Sequence, residues 1–197
     1  MSISRQSESG VAANRGRLLY VVGPSGAGKD TLLEFARNHL SLDLAPRVRF
    51  AQRCITRPAG AQGEQHQAVT AEQFALMTAA VRFAMAWRAN GNDYGIGAEI
   101  RDWLGEGHTV VVNGSRGYLA QALRDFPHLE VICVTVNLET LRRRLEDRGR
   151  DSLQEIEGRL ARAREFALPD GTAKLEIRND QSVQAGGEAL LEAIAGR

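Results

Sequence analysis

The chain is 197 residues long and carries 25 basic against 24 acidic residues, which gives a net charge of +1 at pH 7. This length suits a single α/β domain with a proper core, and the nearly neutral charge excludes the global basic field of a nucleic-acid-binding protein. The two cysteines, Cys54 and Cys133, lie far apart and exclude a disulfide framework. The four histidines lack the spacing of a metal site.

The first residues of the chain, 1–16, are polar and lack the apolar segment of a signal peptide. We therefore expect a disordered tail followed by one domain over residues 17–197. No apolar run approaches the length of a membrane span. The sequence predicts a soluble, cytoplasmic protein that engages neither membrane nor nucleic acid, and a homodimer is compatible with it.

An apolar run over residues 18–22 predicts a buried strand, which breaks at Gly23 into a glycine-rich loop ending at Lys29 and followed by a helical pattern. Strand, G-x-x-x-x-G-K loop and helix in this order are typical of a phosphate-binding loop. Its backbone N–H groups surround an anion and its lysine reaches the β- and γ-phosphates. A glycine-rich turn that binds nothing is the alternative. The candidate ATP-binding residues here are Gly23, Pro24, Ser25, Gly26, Ala27, Gly28, Lys29, Asp30 and Thr31.

The loop departs from its usual pattern at the position after Lys29. The pattern has Ser or Thr there as the hydroxyl on the magnesium side, whereas this chain has Asp30 and then Thr31. A carboxylate is a good Mg²⁺ ligand, although it adds negative charge near a triphosphate. We expect Asp30 and Thr31 to hold the Mg²⁺ ion that accompanies ATP.

Helices and apolar strands alternate along the rest of the chain. We expect strands near 47–50 and 83–88, helices over 71–80 and 99–104, and a loop over 90–97. The later expected strands are 108–113, 131–136 and 174–177, and the later expected helices are 118–126, 138–147, 153–166 and 183–194. This alternation predicts an α/β fold with a mostly parallel sheet and helices on both faces.

Ligands of such sheets bind beyond the carboxyl ends of the strands. That rule brings the phosphate-binding loop, residues 113–116 and residues 179–180 to one edge. The polar, turn-rich region after residue 52 is expected to be a surface excursion, where binding residues tend to lie. Its Arg53 and Arg57 are candidate phosphate ligands because a guanidinium binds phosphate through two N–H groups. Ordinary surface charge is the alternative.

Arginines cluster at the end of the 138–147 helix and along the next helix. Arg144 and Arg148 are four residues apart, so both can face the same way if the helix extends that far. We expect them, with Arg159, to belong to a lid over residues 144–160 that covers the transferring phosphoryl group. Donors there stabilise charge that develops in the transition state. A solvated helix face with ion pairs to nearby carboxylates is the alternative.

Five motifs resemble the guanylate kinase family in order and spacing, over nearly all of the chain after the tail. They are Gly23-Pro-Ser-Gly-Ala-Gly-Lys29, Ile55-Thr-Arg57-Pro, Asn92-Asp-Tyr-Gly95, Arg148-Gly-Arg-Asp151 and Asn179-Asp180. The resemblance implies a P-loop NTPase-type kinase with an acceptor-binding region over about residues 50–100. It also implies that Arg57 and Tyr94 contact the acceptor phosphate, and that Asn179 lies near adenine.

Four departures from the guanylate kinase pattern bear on the acceptor. Pro58 follows Arg57 directly, so the family's second phosphate-binding arginine is missing. Ile96 stands where the family has Ser or Thr to hydrogen-bond guanine, and residues 83–88 contain no carboxylate for guanine. Arg53 adds a phosphate donor where the family often has Ser. The residues that would hydrogen-bond a base are thus missing, whereas candidate phosphate ligands remain.

These departures, with Asp30 and the segment Val112-Asn-Gly-Ser-Arg-Gly117, resemble the ribose 1,5-bisphosphate phosphokinases within the guanylate kinase-like enzymes. That resemblance implies Mg²⁺-dependent phosphoryl transfer from ATP to ribose 1,5-bisphosphate, in phosphonate metabolism. The implied catalytic residues are Lys29, Arg144 and Arg148. The implied substrate-binding residues are Arg53, Arg57, Tyr94, Asn113, Ser115, Arg116 and Arg159. A guanylate kinase with altered base recognition and a non-catalytic guanylate kinase-like binding module are the alternatives.

Overall fold

The computed structural model describes residues 16–58, 65–149, 151–168, 172 and 174–196. The expected disordered tail lies outside these ranges except for its last residue, as do residues 59–64 of the expected excursion and Arg150 of the expected lid. The strands are β1 Arg17–Val22, β2 Val48–Phe50, β3 Arg53–Ile55, β4 Gln67–Ala68, β5 Phe83–Ala89, β6 Asn92–Gly97, β7 Thr109–Asn113, β8 Glu130–Thr135 and β9 Lys174–Arg178. The helices are α1 Lys29–Asn38, α2 Ala71–Ala79, α3 Glu99–Gly105, α4 Leu119–Asp125, α5 Leu138–Asp147, α6 Leu153–Arg164 and α7 Val183–Ala195, with short 3-10 helices at Ala45–Arg47 and Arg116–Tyr118.

Five parallel strands form the central sheet in the order β2-β7-β1-β8-β9. Side chains alternate between the two faces of a strand, and β1 shows the result. Leu18 and Tyr20 pack in a core with α3 and α4 on one face, whereas Leu19 and Val21 pack in a core with α1 and α7 on the other. Helices therefore cover both faces of a parallel sheet, which confirms the predicted fold class.

A second sheet of four strands has the order β4-β3-β6-β5. Its strands β5 and β6 form an antiparallel hairpin, so the predicted loop over 90–97 is wrong. Only Asn90 and Gly91 make the turn, and both have positive φ, 49° and 77°. This is the geometry of a type I′ turn, which Asn-Gly sequences favour because it matches the twist of the flanking strands.

The other predicted strands and helices are present, with their ends shifted by one or two residues at most. The region predicted as a surface excursion is partly structured, because β3 pairs with β4 and β6 and buries Cys54 and Ile55. Among the described residues, no helix combines the length and apolar character needed to cross a membrane.

Helices α5 and α6, in the predicted lid region, have a small core of their own. It consists of Leu141, Leu145, Ile156 and Leu160, all of them buried. A capping box starts α6: the Ser152 hydroxyl accepts from the N–H of the third helical residue, whose carboxylate accepts in return. Helices α5 and α6 therefore form a packed pair.

Candidate active site

The phosphate-binding loop runs from the end of β1 to the start of α1, at the carboxyl edge of the central sheet. Gly28 is the N-cap residue of α1 and has φ 88°, a conformation that favours glycine. Gly23 passes so close to β8 that a Cβ atom there would lie 2.3 Å from the Val134 carbonyl oxygen. The N–H groups at the start of α1 can therefore approach an anion without obstruction from side chains.

Two side chains hold this loop in shape. Asn179, just after β9, is 2% exposed, and its Nδ2 donates to the Ala27 carbonyl oxygen at 2.7 Å. Lys29 Nζ donates to the carbonyl oxygens of Gly23 and Pro24 at 2.9 and 3.3 Å. The Lys29 ammonium group thus lies at the loop, within reach of a phosphate bound there. The Asn179 amide lies beneath the loop, and its proximity to adenine stays a prediction.

Asp30, in the first turn of α1, joins the loop to the side of the site that is expected to bind the acceptor. Its Oδ1 accepts a hydrogen bond at 2.6 Å from Nδ2 of Asn113, the last residue of β7. Nη2 of Arg53 in β3 lies 3.7 Å from the same oxygen, and the Arg53 side chain is only 13% exposed. Three residues from separate motifs of the sequence therefore meet, and through them the two sheets are connected.

Tyr20 fixes the loop that follows β7, although it is not among the site residues predicted from the sequence. Its Oη accepts from the Ser115 N–H at 2.8 Å and donates to the Ser115 carbonyl oxygen at 3.1 Å. A Cβ atom at Gly114 would lie 2.3 Å from the Tyr20 ring, so the backbone passes directly against it. Burial raises the pKa of Tyr20 to about 12. The signal in the sequence is a single hydroxyl within the apolar run 18–22.

An aromatic stack supports the expected acceptor side. The Arg53 guanidinium lies over the Tyr94 ring, 5.4 Å from its centroid, and Trp87 stacks on the same tyrosine at a centroid distance of 5.5 Å. The structure thus brings together Arg53 and Tyr94, both predicted to bind substrate. Arg57 contacts His66 instead, whose Nε2 lies 3.1 Å from the Arg57 carbonyl oxygen.

Arg159 of α6 reaches the phosphate-binding loop. Its Nη1 donates to Ser25 Oγ at 2.7 Å, and its Nη2 donates to Oδ1 of Asp151 at 3.0 Å. The Asp151 side chain is 7% exposed, so this ion pair is largely shielded from water. Asp151 ends one of the five motifs but is not among the site residues predicted from the sequence. It orients the guanidinium that lies beside the loop.

Arg144 of α5 also lies near the loop. Its Nη1 is buried without a hydrogen-bond partner among the described residues, 3.6 Å from the place that a Cβ atom of Gly28 would take. Burial lowers the pKa of Arg144, the charge of Asp180 opposes that shift, and Arg143 and Arg148 lower it further. A half-buried guanidinium with an unpaired Nη1 beside an anion-binding loop is suited to a phosphate oxygen.

Two other predicted arginines have different surroundings. Arg148 is exposed just beyond the C-terminal end of α5. Arg116 donates from Nη1 to the Glu165 carbonyl oxygen at 3.0 Å and lies over the Phe166 ring, 5.2 Å from its centroid. Arg116 therefore ties the loop after β7 to the end of α6.

Ile96, which stands where the guanylate kinase pattern has Ser or Thr, lies in the apolar core. Ile96 of β6 is paired with Met85 of β5 across the hairpin. Ile96 is 0% exposed and Met85 is 1% exposed, and both belong to the core that packs on α3 and α4. Neither side chain can satisfy the hydrogen-bonding edge of a base.

The oxygen atoms at the start of α1 fit an Mg²⁺ ion that arrives with ATP. In the ranges that the structure describes, no group of three or more His, Cys, Asp or Glu side chains is placed to hold a metal ion. Mg²⁺ in kinases takes only one or two protein ligands and completes its shell with phosphate oxygens and water. The Asp30 carboxylate, 41% exposed, and the exposed Thr31 hydroxyl are of this kind.

Solved structures with the same fold include two kinases. Guanylate kinase from Anaplasma phagocytophilum superposes with a TM-score of 0.63 at 15% identity, covering 92% of this chain and 86% of that one. A sugar kinase from Janibacter sp. HTCC2649 gives a TM-score of 0.51 at 16% identity, covering 91% and 97%. These likenesses establish the fold.

Sequence relatives are much closer. The family model of the AAA domain matches residues 19–164. Ribose 1,5-bisphosphate phosphokinase PhnN from Pseudomonas paraeruginosa is 49% identical over 181 residues, 92% of this chain and 96% of the relative. The protein of that name from Thiobacillus denitrificans is 44% identical over 182 residues, 92% and 94% of the two chains. The resemblance drawn from the motifs is thereby confirmed, and the chain belongs to the ribose 1,5-bisphosphate phosphokinase family.

Proposed function

We propose that this chain transfers the γ-phosphoryl group of ATP to the 1-phosphate of ribose 1,5-bisphosphate, giving 5-phospho-α-D-ribose 1-diphosphate and ADP. The observation that supports it most is the burial of Ile96, at the position where guanylate kinases have Ser or Thr to bind guanine, while Arg53 lies close to the phosphate-binding loop. Such a site suits an acceptor that has phosphates and no base. The name that the relatives share points to the same acceptor.

A guanylate kinase is the weaker candidate. The Ile96 side chain offers guanine no hydrogen bond and residues 83–88 offer it no carboxylate, and each polar group left unpaired in a buried site costs about 1–3 kcal/mol. A non-catalytic binding module is weaker still, because the phosphate-binding loop and Lys29 are intact.

The proposed transfer needs no strong general base, because the attacking phosphate oxygen is already ionised. Catalysis then depends on positioning the two phosphates in line and on stabilising charge. Lys29 would bind the β- and γ-phosphates. Arg144, Arg148 and Arg159 would approach the transferring group from the lid, where donors aimed at developing charge have their largest effect.

The remaining assignments follow the two sides of the site. When bound, Mg²⁺ neutralises charge on the β- and γ-phosphates, and Asp30 and Thr31 would hold it. Asn179 would lie on the adenine side. The residues proposed to line the acceptor side are Arg53, Arg57, Tyr94, Asn113, Ser115 and Arg116. A cytoplasmic location, a homodimer and a single domain over residues 17–197 stay predictions of the sequence.

The proposal is tested by measuring ADP release from Mg-ATP in the presence of ribose 1,5-bisphosphate. We expect turnover by the wild type and a loss of at least ~10²–10³-fold in Lys29→Ala, since a charge-stabilising donor is removed. Arg37→Ala is the matched control, because it removes an exposed cation from the same helix. A wild type without turnover would refute the function, and an active Lys29→Ala variant would refute the mechanism.

A further inference from the structure

Asp30 replaces the usual hydroxyl of a phosphate-binding loop, and its contacts lead away from that loop. The loop carbonyl groups are held by Lys29 and Asn179. Asp30 instead contacts Asn113 at the end of β7 and Arg53 in β3. Neither partner belongs to the loop or to α1. The carboxylate therefore serves the junction between the loop and the acceptor side rather than the fold of the loop.

The pair formed by Asp30 and Asn113 has the chemistry of a hydroxyl-binding site. A carboxylate only accepts hydrogen bonds, an amide NH₂ only donates them, and a hydroxyl can donate to the first while it accepts from the second. Both contacts of Asp30 use Oδ1. Because the carboxylate is 41% exposed, its second oxygen can accept a hydrogen bond from a bound hydroxyl.

Arg53, a candidate phosphate ligand, lies beside this pair. Nη2 of Arg53 lies 3.7 Å from the Asp30 carboxylate, and its guanidinium suits a phosphate group. The cation also offsets the charge of Asp30, so that the carboxylate can face a phosphorylated ligand. In ribose 1,5-bisphosphate, the 2-hydroxyl is on the carbon next to the one that bears the 1-phosphate. A hydroxyl-binding pair, Asp30 and Asn113, next to a candidate phosphate ligand, Arg53, matches that arrangement.

We infer that Asp30 and Asn113 form a hydroxyl-binding subsite for the pentose ring of the acceptor, and that Asp30 determines specificity for it. The inference rests on the proposed function, since it concerns the acceptor of that reaction. It gives Asp30 a role toward the sugar in addition to its proposed role toward Mg²⁺.

The test compares kcat/KM for ribose 1,5-bisphosphate with kcat/KM for its 2-deoxy and 3-deoxy analogues. We expect the wild type to prefer the ribose compound over at least one analogue by ~100-fold or more, because a site built to hydrogen-bond a hydroxyl rejects the ligand that lacks it. Asp30→Ser should reduce that preference at least ~10-fold, since the carboxylate partner is gone. Glu34→Ser is the matched control, because it removes an exposed carboxylate one turn along α1 and should leave the preference unchanged.

The ratio of kcat/KM between the ribose compound and each deoxy analogue distinguishes binding of the sugar hydroxyl by Asp30 from binding of Mg²⁺. Loss of a metal ligand lowers kcat/KM for all three acceptors by a similar factor, so an Asp30→Ser variant that is slower but keeps the wild-type ratios overturns the subsite. A wild type without preference for the ribose compound overturns it as well. If the variant has no measurable turnover, the same ratios are read from acceptor dissociation constants by calorimetry. A wild type that phosphorylates none of the three acceptors refutes the proposed function instead.

Discussion

At the scale of single residues, Tyr20 makes stability depend on pH at the alkaline end. Burial raises the pKa of Tyr20 from 10.0 to about 12. Between these values the unfolded chain loses the phenol proton while the folded chain keeps it, so the free energy of unfolding falls as pH rises. The stabilisation is fully present below pH 10, and we expect this group to lose roughly 2–3 kcal/mol by pH 12, measured by urea unfolding.

Tyr20→Phe is the control, because it lacks the titrating hydroxyl. It should be less stable at pH 8 by about 1–3 kcal/mol, since the N–H and carbonyl groups of Ser115 lose their partner. Between pH 10 and 12 its stability should fall less steeply than that of the wild type. Identical slopes would show that another group causes the alkaline loss.

Asn179 is expected to contribute to stability and to ATP binding, because it anchors the phosphate-binding loop. Asn179→Ala leaves the Ala27 carbonyl oxygen without its donor beneath the loop, which should cost about 1–3 kcal/mol of stability and raise KM for ATP. Thermal unfolding and ATP titration measure the two effects. Asn38→Ala, at the exposed end of α1, should change stability by no more than about 0.5 kcal/mol. Equal effects of the two substitutions would contradict the anchoring role.

At the scale of elements, the β5–β6 hairpin depends on the conformation of its turn. Gly91 has φ 77°, and a Cβ atom there would meet nothing within 4 Å, so Gly91→Ala tests the backbone alone. We expect a loss of about 1–2 kcal/mol in denaturant unfolding, the cost of a left-handed conformation. Gly105→Ala, equally open but without positive φ, should be neutral or stabilising by up to about 1 kcal/mol. A neutral Gly91→Ala would contradict the turn geometry.

Helix α6, in the predicted lid region, presents one arginine to the loop and others to solvent. Arg159 is bonded to Ser25 and Asp151, whereas Arg162 is exposed. Arg159→Gln should lower kcat/KM by roughly 10²–10³-fold, as for loss of a donor to transition-state charge. It should also lower stability, because the Asp151 carboxylate, 7% exposed, loses its cation. Arg162→Gln should stay near the wild type. Steady-state kinetics and thermal unfolding are measured for the two variants. Equal losses of kcat/KM would contradict a role for Arg159 at the phosphate-binding loop.

Much of the fold could be predicted because its signals are local. Apolar runs such as 18–22 and the glycine pattern of the loop can be recognised from neighbouring residues alone. The rule that ligands bind beyond the carboxyl ends of parallel strands then predicts that Asn113 and Asn179 lie near the loop, as they do. The polar residues of segment 90–97 outweigh its Asn-Gly turn signal, so the sequence predicts a loop where the structure has a hairpin. Tyr20 could not be placed in the site, since its partner Ser115 is 95 residues away in sequence.

At the scale of the whole molecule, the phosphate-binding loop and the residues expected to bind the acceptor lie on two different sheets. The parallel sheet carries the phosphate-binding loop, and the smaller sheet carries Arg53 and Tyr94. Asp30 joins them, because it contacts Asn113 of the first sheet and Arg53 of the second. Ile96 of the hairpin is buried in the apolar core and offers no hydrogen bond to a base. The same scaffold as a nucleotide kinase can thereby accept a phosphorylated sugar, by changing which atoms face the acceptor.

The most direct test is a competition between acceptors. The protein is incubated with Mg-ATP and equal amounts of ribose 1,5-bisphosphate and GMP, and the products are followed by phosphorus NMR. We predict that a diphosphate forms at carbon 1 of the sugar while ADP accumulates and the GMP resonance stays unchanged. Formation of GDP with ribose 1,5-bisphosphate left intact would contradict the account.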